Sequence, residues 1–132
     1  MIPSDWALVH RADGEHVGYL VPHGGPDMVV AHLLTGTPHG PAATPASARA
    51  GLVDRGLVAL DQRWWCRLPT PLPPGRLEAD APQPDWEWRP VVVVEVSPTE
   101  CRVRPEWPAP EELTAQAVLP VPVAELLLAD PP

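Results

Sequence analysis

The sequence predicts an α+β fold: a small, mostly antiparallel β-sheet or partly open barrel of six to eight short strands, with one capped helix at about residues 45–55. Three observations carry that prediction. An Asp13-Gly14 dipeptide separates two β-prone runs. One stretch, Thr44 to Gly56, has both a start and a stop signal for a helix. The remaining apolar runs are short and bounded by proline and glycine, as strands are.

The first pair of strands is Trp6–Arg11 and His16–Val21, joined through Asp13-Gly14. A type I′ turn needs φ > 0 at both central residues, which Asp-Gly supplies. In that register Arg11 faces His16 and Leu8 faces Tyr19. Trp6, Leu8, His10, Val17, Tyr19 and Val21 then share the face expected to form the core. Ala7, Val9, Arg11, His16, Gly18 and Leu20 take the other face. Pro22–Asp27 reads as a loop, Met28–Leu34 as a buried strand, and Thr35–Pro41 as a second Gly/Pro-rich loop.

In the helix, Thr44 is the N-cap, Pro45 occupies N1, and Gly56 is expected in the left-handed position after the last turn. Ala46, Ala50 and Val53 are expected on its packed face. Leu57–Leu60 and Arg63–Leu68 read as a short hairpin around Asp61-Gln62. Trp64 and Trp65 are adjacent, so on a strand only one of them points into a given core.

Pro69–Pro84 is proline-rich and aperiodic, and is expected as an extended connector. Trp86–Val96 and Cys101–Arg104 follow as strands around Ser97–Glu100, with Pro90 marking an edge or a bend. Val91–Val94 is apolar on both parities and is expected to be covered on both faces. The end of the chain offers a loop around Trp107, a Pro-interrupted strand at Ala117–Val123 and a terminal turn. The whole, residues 1–132, reads as one domain, with β-rich halves 1–68 and 85–132 joined by the connector 69–84.

Composition narrows the function classes. The chain has 132 residues, with 21 prolines, six tryptophans and no phenylalanine, lysine or asparagine. The missing types have AT-rich codons, so the bias reflects a high-GC bacterial genome rather than the fold. The net charge of −8 repels phosphate backbones and anionic lipid heads, so neither nucleic acid nor a membrane is an expected partner. The N-terminus lacks the basic and apolar regions of a signal peptide, and no apolar run is long enough to span a bilayer. With two cysteines, Cys66 and Cys101, the expected setting is the cytoplasm and the thiols are expected reduced.

No catalytic motif is present, and no cofactor is expected. Five histidines, His10, His16, His23, His32 and His39, fall within thirty residues, but at spacings of six, seven, nine and seven. Zinc sites use shorter paired spacings, and His10 and His16 fall on opposite faces of the expected hairpin, so no metal site is assigned. Cys66 beside Arg67 reads as a packing residue rather than a nucleophile. Binding candidates are Trp65 and Trp107, with His23 in the first Gly/Pro loop and Thr37 and His39 in the second. The two loops flank one strand and are expected at its opposite ends, which sets His23 and His39 roughly 20 Å or more apart.

The reading that follows is a non-enzymatic protein-interaction or accessory module whose partner is another protein. The alternative is a small enzyme or small-molecule-binding protein using loops 22–27 and 35–41. Self-association through Val91–Val94 is a third expectation.

Overall fold

The Asp13-Gly14 signal is met by a hairpin, β1 (Ala7–His10) and β2 (His16–His23), which a third strand, β3 (Gly25–His32), extends. The structure is a computed structural model that describes the backbone of residues 1–132 and every side chain except that of Pro26. Two compact units are present, Met1–Leu60 and Asp61–Pro132. The α+β class holds: one α-helix and two mostly antiparallel sheets, of three and six strands, neither closed into a barrel. The nine strands exceed the expected six to eight by a four-residue strand in the Pro-rich stretch and a two-residue strand near the C-terminus. No helix among the described residues is long and apolar enough to cross a membrane.

In the first unit the hairpin loop has three residues rather than two. Gly14 N–H donates to the Arg11 carbonyl at 2.9 Å, Arg11 N–H donates to Glu15 at 2.8 Å, and Gly14 sits at φ 87°. A left-handed glycine closing a three-residue loop is the next commonest hairpin after the two-residue turns. The extra residue places His16, not Val17, opposite His10. A bulge at Val17 then absorbs the offset, so that Val9 faces Gly18 and Leu8 faces Tyr19 as expected.

The helix α1 (Pro45–Arg55) covers the face that carries Val9, Gly18, Leu20 and Ala31, not the expected one. The cause is space over Gly18. A Cβ there would lie 2.4 Å from the His32 carbonyl oxygen and 2.9 Å from Leu52 Cδ2, so the glycine lets Leu52 settle onto the sheet. The helix buries Ala48 and Leu52, one turn apart, and leaves Ala46, Ala50 and Val53 exposed. With alanine or glycine at four of its eleven positions, its one leucine decides which way it faces. Thr44 caps it as expected, its Oγ1 accepting from Ser47 N–H at 3.3 Å. Gly56 is right-handed (φ −59°), not left-handed. Glycine suits that position because a Cβ would lie 2.8 Å from the Val17 carbonyl oxygen.

The expected loop 22–27 is mostly strand, with β2 running to His23 and β3 starting at Gly25. Pro22 is tolerated because it faces Val29, whose N–H and C=O bond outward to Ala43. Its missing N–H therefore points toward β1, which begins only at Ala7, opposite Leu20. The second loop returns along β3. Val29 and Ala43 exchange two backbone hydrogen bonds of 2.9 and 2.8 Å, His39 N–H donates to Ala31 at 2.8 Å, and Leu33 N–H to Thr37 at 2.9 Å. An irregular segment thus stands where a fourth strand would cover the edge.

The second unit comprises β4 (Trp64–Leu68), β5 (Gly75–Glu78), β6 (Glu87–Val96), β7 (Glu100–Pro105), β8 (Ala115–Pro120) and β9 (Leu127–Leu128), in the sheet order β5-β8-β7-β6-β4-β9. Only β5 and β8 are parallel. Trp64, Cys66 and Leu68 point into the core and Trp65 and Arg67 away from it, as alternation requires. The expected 57–68 hairpin does not form: Val58–Leu60 is a 3₁₀ turn, and β4 pairs with β6 and β9 instead. Within 69–84, Leu72 is fully buried and β5 pairs along the sheet edge, where only one side needs hydrogen bonds. β6 is interior from Val91 onward, but its first residues, Glu87 to Pro90, pair with β4 alone, so Pro90 stands where one side of the strand is an edge. Its carbonyl accepts from Glu106 N–H at 3.0 Å, so its own nitrogen points past the end of β7 and no bond to β4 is lost. Val91 is buried but Val94 is 43% exposed, because a bulge between Val93 and Glu95 leaves it unpaired.

Candidate functional site

Trp107 follows β7 on a segment whose prolines cannot extend a ladder, and it is 65% exposed. Both ends of that segment are tied down. At the start, the Arg63 guanidinium bonds Glu106 at 2.5 and 3.3 Å, and its Cζ lies 4.6 Å from the centroid of the Trp107 ring. That geometry is a cation–π contact. The ion pair with Glu106 raises the Arg63 pKa further above its ordinary value.

At the far end, Glu112 is buried, and its carboxylate gathers four donors. Oε2 accepts from Leu72 N–H at 2.6 Å and Arg89 Nη1 at 2.7 Å; Oε1 accepts from Arg89 Nη2 and Ala109 N–H, both at 2.9 Å. Arg89 Nη1 also donates to the Pro69 carbonyl at 2.9 Å. The Arg89 guanidinium holds the Glu112 carboxyl at about 2, well below the usual carboxylate range, against the opposing push of burial. One carboxylate thus ties segment 69–72, β6 and the Trp107 segment together. The result is a large aromatic side chain held on the surface by a rigid frame.

The other tryptophan candidate, Trp65, is half-buried on the outer side of β4, between Pro90 of β6 and Leu128 of β9. Arg67 on the same side donates to the carbonyls of Gln83 (2.9 Å) and Trp86 (3.4 Å). With Trp88, Pro82, Leu126 and Glu125 it lines a mainly apolar notch of about 230 Å³.

The histidine candidates separate as expected. His23 is exposed at the tip of the β2–β3 turn, opposite Gly25, whereas His39 sits beside Ala31, six residues along β3 and about 20 Å away. His39 lines a cleft of about 250 Å³ with Gly40, Pro41, Ala43 and, from the helix, Ser47, Ala48 and Gly51. Thr37 does not line it: its hydroxyl bonds Thr35 at 2.7 Å inside the loop. The small residues on the helix face leave the space, and His39 and Ser47 are its polar groups.

Both thiols are buried. Burial pushes Cys66 and Cys101 up to about 12, and a charge on Cys101 would raise Cys66 further, so neither is a nucleophile at neutral pH. Among the described residues, no cluster of three or more His, Cys, Asp or Glu is arranged to hold a metal. Sequence reading missed Arg63, Glu106, Arg89 and Glu112. Their partners lie 43 and 23 residues away, and no local pattern marks such pairs. It also separated His10 from His16, which the bulge brings together with ring centroids 5.2 Å apart.

No protein-family model matches the chain, and neither does any curated protein or solved structure.

Proposed function

We propose that this chain is a non-enzymatic protein-interaction module whose partner docks on Trp107 and Arg63. The observation that carries the reading is an exposed tryptophan stacked on arginine and presented by a segment pinned at both ends. Tryptophan and arginine dominate interface hot spots, and a side chain already held in place loses little entropy on binding. A net charge of −8 favours a protein over a polyanion as the partner. The free thiols Cys66 and Cys101 fit a reducing, cytoplasmic setting.

The test is recovery of partners from native-host cells with the wild-type chain, Trp107→Ala and, as a surface control, Val58→Ser. A partner lost with Trp107→Ala and kept with Val58→Ser supports the reading. A partner kept by both variants, with both folded by circular dichroism, sinks it.

A second reading, small-molecule binding, rests on the His39 cleft, which unites an imidazole and a hydroxyl in a space of about 250 Å³, enough for a compound smaller than drug size. Ligand-observed NMR against a library of small polar compounds tests it. A hit that shifts the His39 ring signals and is lost in His39→Ala supports this reading; a library without such a hit counts against it.

A further inference from the structure

We propose that His10 and His16 together bind one divalent transition-metal ion of the copper, nickel or zinc kind. The pair exists because of the offset in the hairpin. In a regular ladder these residues would lie on opposite faces, but the three-residue loop pairs His10 directly with His16, and the bulge at Val17 keeps both rings on the face of Tyr19.

Three features fit a chelate. The first is separation. An ion about 2.1 Å from one nitrogen of each ring lies about 3.2 Å from each ring centroid. Centroids 5.2 Å apart, with the ring planes inclined by 34°, leave room for one such ion between them at an angle of about 109°, that of tetrahedral coordination. The second is the tautomer. His16 Nε2 lies 2.9 Å from the Gly18 carbonyl oxygen, so Nε2 carries the hydrogen and donates it, leaving the Nδ1 lone pair for the ion. A ligating histidine anchored through its other nitrogen to a carbonyl is the common outer-sphere arrangement. The third is access and support: His10 is exposed, while His16 is half-buried and braced edge-on by Tyr19 at 4.8 Å.

Imidazole pairs select copper, nickel and zinc over magnesium or calcium, with copper(II) the tightest. Because no third His, Cys, Asp or Glu joins them among the described residues, water or an incoming donor completes the coordination, and the ion stays exchangeable. This inference is independent of the Trp107 reading.

The experiment is a titration of the wild-type chain with copper(II) below one equivalent, followed by NMR of the histidine rings, with calorimetry for stoichiometry. The expected result is one ion per chain, with His10 and His16 signals broadening before those of His23, His32 and His39. His10→Gln and His16→Gln each weaken copper binding by about tenfold or more, His23→Gln leaves it unchanged, and magnesium gives no effect. Broadening that begins at His23, His39 or the N-terminal amine overturns the proposal, as does an absence of copper binding. Unchanged affinity in a folded His10→Gln chain overturns it too. The wild-type broadening map needs no variant, so a variant that fails to fold leaves the test intact.

Discussion

Two arginine–glutamate pairs hold the segment that carries Trp107, and they differ in almost everything but chemistry. Arg89–Glu112 is sequestered, with side chains 15% and 1% exposed; Arg63–Glu106 stands in solvent at 45% and 24%. The buried pair fills its hydrogen-bonding capacity with backbone donors and acceptors from two other segments. The open pair touches little besides the tryptophan ring. Burial therefore divides the labour: one pair carries stability, the other presentation. Desolvated charges are costly when either partner is removed, whereas exposed pairs contribute little because water competes for both.

The largest expected effect breaks the buried pair. Glu112→Ala leaves Arg89 without a counter-charge and strips the Leu72 and Ala109 N–H groups of their acceptor. It should destabilise the chain by about 3–5 kcal/mol in chemical denaturation. Arg89→Met combined with Glu112→Leu should recover part of that loss, since two apolar groups leave no stranded charge.

Acid probes the same pair without mutation. Glu112 sits at about 2 against an ordinary 4.5, so the unfolded chain takes up its proton first as pH falls. The stabilisation is complete above pH 4.5 and is lost as pH drops toward 2. At 1.36 kcal/mol per pKa unit it amounts to about 3 kcal/mol. Stability measured between pH 6 and 2.5 should therefore fall more steeply in the wild type than in Glu112→Gln; parallel curves would refute the assignment.

Arg63→Ala should leave the denaturation midpoint nearly unchanged while altering Trp107, seen as a shift in tryptophan emission that Trp107→Ala abolishes. A large loss of stability would show that the open pair is structural after all. The smallest expected effect on stability is that of Trp107→Ala itself, within about 0.5 kcal/mol of wild type. On the proposed function, its consequence falls on partner binding.

The same contrast marks what was legible in the residues. Thr44-Pro45 and the run to Arg55 were enough to locate the helix, because caps are local chemistry. Trp64 and Trp65 could be placed on opposite faces, because strand alternation is local geometry; which face is buried was not settled by it. Trp107 was legible as hard to bury, since prolines flank it. The frame that holds it was not, because Arg63 and Glu106 meet only after three strands, β4, β6 and β7, have been laid side by side. His39 could be named as a candidate, but its cleft depends on loop 37–43 turning back along β3.

What the sequence determined by itself was every feature whose cause lies within a few residues: the α+β class, the hairpin at Asp13-Gly14, the helix start, and the opposition of Trp64 and Trp65 on β4. Tertiary structure decided which face of the first sheet the helix covers. It decided that His10 meets His16, and that the deepest charge, Glu112, fastens three segments together. The physical reason is the period of two along a strand. One extra residue in a loop and one bulge reverse the faces they separate, and only packing, here Leu52 settling over Gly18, selects between the two outcomes.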